Sequence, residues 1–407
     1  MGGLVAVATG LAGCSAGERT AAEGQVLASS YRQLMMHQQP EYFSFGAASA
    51  ASVYTSEPIE SAFAFDEALL SWNIRTQTGQ SAVIEMRVGA GEPEVSWSPW
   101  LFVGDWPGPT GRDANEKLVT SFEMDVPVRK APATRLGGKI DVDFFVASVG
   151  SRFTHAQYRI TLAQTGSAEA ATAKSSIERV ALTFSSSAAA DARYGGDINS
   201  GPGTFRTGMP LADSAQPARV ALAVPLRSQK TERREIAGRI CSPTSVSMVL
   251  AAYGSSIDVL SMANLAYDAR HDLYGNWPRN VQAAFSSGTP GFVTRIGTWR
   301  EVEDYLTLGW PLVISIATKS HELRGAPYPA TDGHLVVIRG IDANGNVLVN
   351  DPAATTPEQA AVTYNRTDLE HVWLRRNLGT AYVLMGQVTQ RPRAQGVGQK
   401  GAGKSGY

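Results

Sequence analysis

The sequence predicts an α+β protein: an N-terminal antiparallel β-sandwich followed by a second domain in which a helical half precedes a sheet half. Three observations carry this. Period-two alternation of apolar and polar residues recurs through residues 59–185, with turn residues between the runs. Helical spacing of apolar residues then appears from Cys241 to Tyr253, around Val259 to Ala269, and from Trp299 to Leu308. β-Branched runs follow at Leu312 to Ala317, in a hairpin from His334 to Asp351, and at Thr380 to Val388. At 407 residues, 43% hydrophobic and 18% charged, the chain suits two soluble domains plus tails.

The elements follow in order. Residues 1–14 form a short apolar segment ending Leu11-Ala12-Gly13 before Cys14, and 15–58 read as a polar, Ala-rich tether with a short helix. The sandwich is expected over 59–185. Its strands include Ala82 to Val88, Ile140 to Val146, Gln157 to Leu162 and Ile177 to Phe184. The pair Trp97 and Trp100 suits either a sandwich core or a stacking platform for a sugar or peptide. Residues 186–216, rich in Ala, Ser, Gly and Asp, read as a linker. The second domain spans 217–389, and 390–407 form a basic, Gly-rich tail expected to be disordered. A formal charge of −1 argues against nucleic-acid binding.

Chemistry concentrates in the second domain. Cys241 opens the helix Cys241-Ser242-Pro243-Thr244-Ser245, whose apolar spacing runs to a C-cap at Gly254. Free amide donors and the helix macrodipole favour thiolate there, and Pro243 sits where its missing N–H costs nothing. Of the six His residues, only His334 stands in a setting that suggests chemistry. It begins the run His334 to Gly340, and Asn346 to Asp351 returns, stopped by Pro352. With a four-residue loop from Asp342 to Gly345, Asp351 faces Val336 and lies diagonal to His334 at roughly 7 Å between backbones, within carboxylate–imidazole reach. A two-residue Asn-Gly turn leaves the two about 13 Å apart along the strand. The longer loop is the expectation. His271 and His321 are read as surface residues.

Taken together, Pro225 to Gln229, the Cys-Ser-Pro-Thr-Ser helix, Tyr274-Gly275-Asn276-Trp277, Gly309-Trp310-Pro311, Gly333-His334 and Asn350-Asp351-Pro352 resemble papain-clan cysteine peptidases related to bacteriocin-leader peptidases. The resemblance covers roughly Ala221 to Gln387 and implies a papain-like cysteine peptidase domain. It implies Cys241 as nucleophile, His334 as base, Asp351 as the orienting acid and Gln229 in the oxyanion hole. Ser242 stands where the family commonly has Gly. Double-glycine leader processing is not expected, because nothing in the sequence resembles the transporter of the leader peptidases.

The expected activity is hydrolysis of peptide or related amide bonds, in proteins or in cell-wall peptide. Trp277 and Trp310 are candidates for the cleft wall, or for the core. No cofactor or metal is implied, since metal-binding Cys or His spacings are absent. The alternative is a catalytically idle fold that binds a glycan or protein. The segment before Cys14 is similar to the lipobox of bacterial lipoproteins, which implies lipidation at Cys14 and an exported chain anchored at the cell envelope by that lipid alone. Of the two cysteines, Cys241 then remains an unpaired thiol.

Overall fold

A computed structural model describes residues 25–28, 32–38, 41–43, 51–107, 118–128, 131–164, 175–187, 220–231 and 233–386. The first unit is built from strands alone over most of its length. They are β1 (Gln25–Ala28), β2 (Arg32–His37), β3 (Glu41–Phe43), β4 (Ala51–Thr55), β5 (Ile59–Phe65), β6 (Glu67–Arg75), β7 (Gln80–Ala90), β8 (Ser96–Trp97), β9 (Leu101–Trp106), β10 (Ser121–Val128), β11 (Ala131–Asp141), β12 (Phe144–Ala147), β13 (Phe153–Gln164) and β14 (Ser175–Ser185). One eight-stranded sheet runs β1-β2-β14-β6-β12-β11-β10 with β3 beside β14. A six-stranded sheet runs β4-β13-β7-β8, with β5 on β13 and β9 on β7. Leu70, Trp72 and Phe184 from the first sheet share a core with Ile84, Val103 and Ile160 from the second. Burying these faces against each other is what the period-two pattern provides for.

Two expectations change here. The tether of 15–58 contains β1 to β4, and these strands are built into both sheets: β2 pairs along Val180–Ser185 of β14, and β4 along Arg159–Ala163 of β13. Their backbone donors are spent in ladders, which a tether would leave to water. The run Ile140 to Val146, expected as one strand, instead turns back on itself. β11 ends at Asp141, Val142 takes φ 64°, and β12 begins at Phe144. The segments 1–14, nearly all of 186–216, and 390–407 lie outside the described residues.

The second unit places helices against a seven-stranded antiparallel sheet. The helices are α1 (Cys241–Ala252), α2 (Val259–Ala266), α3 (Trp277–Ser286), α4 (Trp299–Thr307) and the short α5 (Arg366–Glu370). The strands are β15 (Val220–Ala221), β16 (Gly291–Arg295), β17 (Leu312–Thr318), β18 (Thr331–Ile341), β19 (Val347–Asn350), β20 (Ala361–Tyr364) and β21 (Thr380–Leu384), in the order β16-β21-β17-β18-β19-β20 with β15 on β18. Asp258, Asn276 and Thr298 cap α2, α3 and α4 through their side chains. None of the described helices is long and apolar enough to cross a membrane.

The two units are joined by buried polar contacts. Gln282 of α3 accepts from the N–H of Ile74 and donates to its carbonyl, each at 2.8 Å. Ser71 and Asn73 of β6 accept from the N–H groups of Val293 and Gly291. Arg295 pairs with Glu67 at 2.6 Å. Leu69, Trp106 and Ala181 of the first unit are part of the second unit's core. The Gln282, Ser71 and Asn73 contacts pair buried polar groups with backbone groups across the seam, which offsets their desolvation, while burial raises the Glu67 carboxyl despite the charge of Arg295.

Candidate active site

Helix α1 runs through the middle of the second unit, with Ser242 to Leu250 all buried. A helix buried on every side needs its polar residues satisfied, and these are: Ser245 donates to the Leu335 carbonyl at 3.0 Å, Thr244 to the Ile240 carbonyl, and Ser242 shares a 2.9 Å hydrogen bond with the Tyr382 hydroxyl. The helix closes as expected, with Gly254 at φ 91° and the Ser255 N–H on the Leu250 carbonyl. Cys241 occupies its first turn and is a partly exposed free thiol.

β18 brings His334 to that thiol. The strand begins at Thr331, three residues earlier than expected, and Leu335 lies opposite Ser315 of β17. The hairpin turn is longer than expected by one residue. Ile341 pairs with Val347 because the Asp342 side chain accepts from the N–H groups of Asn344 and Asn346 and spreads the loop over 342–346. A bulge at Arg339 removes that extra residue, so Val337 pairs with Asn350. Asp351 therefore arrives diagonal to His334, and its Oδ1 lies 2.8 Å from His334 Nε2.

Asp351 is fully buried, and its carboxylate is saturated with donors. Oδ1 also accepts from the Ala353 N–H at 2.9 Å; Oδ2 accepts from the hydroxyls of Tyr364 at 2.7 Å and Tyr328 at 2.9 Å. The Tyr328 ring stands edge-on to His334 with centroids 4.9 Å apart. The sequence alone points to neither tyrosine. Each lies in its own segment, Tyr328 in the loop before β18 and Tyr364 at the end of β20, and no local spacing ties them to Asp351.

The electrostatics follow from this packing. Burial is the largest influence on Cys241 and raises its thiol, but the hydrogen bond and charge of His334, with the N–H groups of Leu335 and Ser242, together hold it below the ordinary value. For His334 burial acts to lower the imidazole, and the charge and hydrogen bond of Asp351, then of Cys241, overcome it and raise it to about 10. Asp351 is pushed up by burial and brought below its ordinary value by His334, Tyr364 and the Ala353 N–H. The net result favours thiolate, imidazolium and carboxylate in a row. Since Nε2 faces Asp351, Nδ1 is left for the sulfur side.

The remaining site candidates are placed differently. Gln229 is buried, its N–H bonded to the Pro352 carbonyl and its Nε2 donating to the Ala237 carbonyl at 2.9 Å. It thus bridges the Asp351 loop and the turn leading into Cys241, with one amide hydrogen uncommitted. Trp277 stacks on Phe144 of the first unit, with centroids 5.5 Å apart, and its backbone N–H donates to the Asp143 carboxylate. Trp310 stacks on Tyr305. Both are partly buried and pack against the second unit's core. His271 pairs with Asp268 at 2.9 Å, and His321 is exposed with φ 65°. Cys14 lies outside the described residues. Among those residues no cluster of metal-ligating side chains occurs.

The site joins a helix-start thiol to an imidazole and a buried carboxylate carried on one hairpin. Comparison with known families agrees in class. Residues 221–379 match the model of the Peptidase_C39 like family, and residues 18–185 match the Peptidase C39 N-terminal domain. The two adjoining matches support a C39 peptidase-like family and suggest a cysteine peptidase-like hydrolase. Among solved structures, a C39-like peptidase from Bacillus anthracis is 18% identical over 42% of this chain and 98% of its own, with a TM-score of 0.32. A loop-swap mutant of the Necallimastix patriciarum protein Xyn11A is 5% identical over 39% of this chain and 91% of its own, with a TM-score of 0.14. No curated protein matches the sequence.

Proposed function

We propose that this chain is a thiol hydrolase of peptide or related amide bonds, working through Cys241, His334 and Asp351 on a papain-like fold. The observation that carries the reading is His334, buried between the Cys241 sulfur and the Asp351 carboxylate and hydrogen-bonded to both. The Cys241 thiolate attacks the scissile carbonyl, and the oxyanion accepts from the Cys241 N–H and from the free amide hydrogen of Gln229. Imidazolium at His334 passes its proton to the leaving amine as the tetrahedral carbon collapses to a thioester. Water then gives a proton to His334 and its hydroxide equivalent to the thioester, releasing the acid and restoring the thiol. Asp351 holds the ring and stabilises its charged form throughout.

The same reading extends to the rest of the chain. The first unit, as a β-sandwich, holds or presents the substrate, which is a peptide, a protein or a cell-wall peptide. Export and lipid attachment at Cys14 place the activity at the bacterial cell envelope. The idle binding-protein alternative is less well supported, because a buried ion pair costs desolvation that a binding module has no need to bear. The test is turnover of a peptide library and of peptidoglycan fragments by the wild type and by Cys241→Ala. Products from the wild type alone support the proposal. Equal turnover by both removes it.

A further inference from the structure

Tyr328 differs from the other groups that touch the triad in how it is held. Tyr364 ends β20, a ladder strand, whereas Tyr328 lies in residues 319–330, between β17 and β18, where no helix or strand fixes the backbone. Its contacts are nonetheless specific. The hydroxyl donates to Asp351 Oδ2 at 2.9 Å, and the ring stands at 70° to the His334 ring with centroids 4.9 Å apart. One half-buried side chain therefore reaches both members of the imidazole–carboxylate pair. A loop residue keeps such a fit only if its loop is anchored.

The anchors lie at the start of the segment. Leu323 is part of the second unit's core, and Ala326 packs against that core. Glu322 is buried, and its carboxylate accepts from two guanidinium nitrogens of Arg376 and from the Lys319 N–H at 2.7 Å. Arg376 is itself fixed by the Ala317 carbonyl at 3.2 Å. Burial acts to raise Glu322, but Arg376 and the Lys319 N–H bring it to about 2, so this tie stays charged through the neutral and alkaline range. Further along, the His321 N–H donates to the Pro329 carbonyl at 3.2 Å, and Gly325, at φ 83°, lies in the turn between. The Arg324–Asp368 pair, with Arg324 exposed, adds little. The segment is thus held at its base and closed on itself, and Tyr328 projects from it onto the triad.

We propose that residues 319–330 form a strap over the His334–Asp351 pair, and that Tyr328 is a positioning residue that keeps the pair aligned and screens it from water. The inference rests on the hydrolase reading above and extends it to a group outside the triad. The physical reason is the dielectric: the attraction between imidazolium and carboxylate weakens sharply when water can reach them. The titratable groups that bear on His334 are Cys241 and Asp351, with the hydroxyls of Tyr364 and Tyr328 acting through Asp351. Removing the Tyr328 ring opens the side of His334 that it covers, so the imidazolium is less favoured and its ring less fixed. Removing the hydroxyl alone leaves the cover in place and takes away a donor that draws charge from Asp351, so the carboxylate acts on His334 at least as strongly. Ring and hydroxyl therefore act in opposite directions on the imidazolium, which separates screening from simple bracing of Asp351.

The test is the pH profile of kcat/KM for a cleaved peptide, from pH 5 to pH 11, in the full chain as wild type, Tyr328→Ala and Tyr328→Phe, with Cys241→Ala as the blank. The alkaline limb reports loss of the imidazolium proton. Tyr328→Ala is expected to move that limb down by about one pH unit or more, and to lower kcat about ten-fold or more with KM near the wild-type value. Tyr328→Phe is expected to keep the limb at or above its wild-type position and to recover most of kcat. A merely structural loss would reduce the amount of active protein and leave the limb where it is. If Tyr328→Ala does not fold, Glu322→Gln, which loosens the tie and leaves Tyr328 and the triad unaltered, takes its place with the same expected direction. A limb that stays at its wild-type position in that variant, or that falls as far in Tyr328→Phe, overturns the strap while the hydrolase reading stands. A wild type no faster than Cys241→Ala overturns both.

Discussion

Replacing His334 with Gln tests the electrostatics of the site at one atom group. Glutamine keeps a donor for Asp351 and much of the volume, and removes the positive charge. In the wild type the thiol is held down chiefly by the hydrogen bond and charge of His334, against burial that pushes it up. Without that charge burial dominates, so the Cys241 thiol is expected to titrate above its ordinary value near 8.5. The size follows from the imidazole itself. A rise from 6.5 to about 10 corresponds to roughly 5 kcal/mol in favour of imidazolium, part of which is lent to the thiolate. Each unit by which the thiol rises costs a factor of about ten in thiolate at pH 6. The rate of iodoacetamide labelling at Cys241, followed by mass spectrometry from pH 4 to pH 10, is therefore expected to fall at least ten-fold at pH 6 in His334→Gln, with its midpoint moved to higher pH. A midpoint that stays below the ordinary thiol value in a folded variant would refute the reasoning.

Further expectations concern stability and turnover. Because His334 is raised in the folded state, its contribution to stability is fully present below about pH 6.5 and is lost as pH climbs through about 10. Asp351, lowered on folding, adds stability that is present above its unfolded value near pH 4 and lost below it. Urea melts are thus expected to show the wild type's advantage over His334→Gln greatest between about pH 4.5 and 6.5 and shrinking toward pH 10; an advantage that grows with alkalinity contradicts this. Tyr364→Phe removes one of four donors to a fully buried carboxylate and is expected to cost about 1–3 kcal/mol in the same melts. No change in midpoint would show that Tyr364 does not hold Asp351. Gln229→Ala is expected to slow peptide turnover about 10²-fold or more while leaving iodoacetamide labelling of Cys241 near wild type, and equal loss of both would assign Gln229 a structural role instead.

How far these features are legible in sequence depends on how local their causes are. Helix α1 is written in a run of neighbours, from Cys241 through Pro243 to Gly254, and its ends fall within a residue of the expected ones. The hairpin is partly so. Turn chemistry at Asp342 adds a residue that the Asn-Gly pair does not announce, and the bulge at Arg339 that takes it up lies beside Gly340, where β15 approaches so closely that a Cβ would meet the Val220 carbonyl at 2.2 Å. The sequence pattern does not predict helix α3, although Asn276 caps it and Pro278 sits in its first turn, since its apolar face is short. Strands β1 to β4 are brief and gain their stability from β13 and β14, residues more than a hundred positions away. Tyr328 and Tyr364 meet at Asp351 through the packing of three segments, and no spacing in the chain encodes that meeting.

The central claim is that a sulfur at the start of α1 takes an acyl group from an amide. Brief acid quenching of the full chain with a peptide it cleaves, followed by digestion and mass measurement, reads this directly. The account predicts that the fragment bearing Cys241 gains the mass of the acyl half of the peptide as a hydroxylamine-labile thioester, with no such gain in Cys241→Ala. Cleavage that proceeds with the Cys241 fragment always at its unmodified mass, and survives Cys241→Ala, would contradict it.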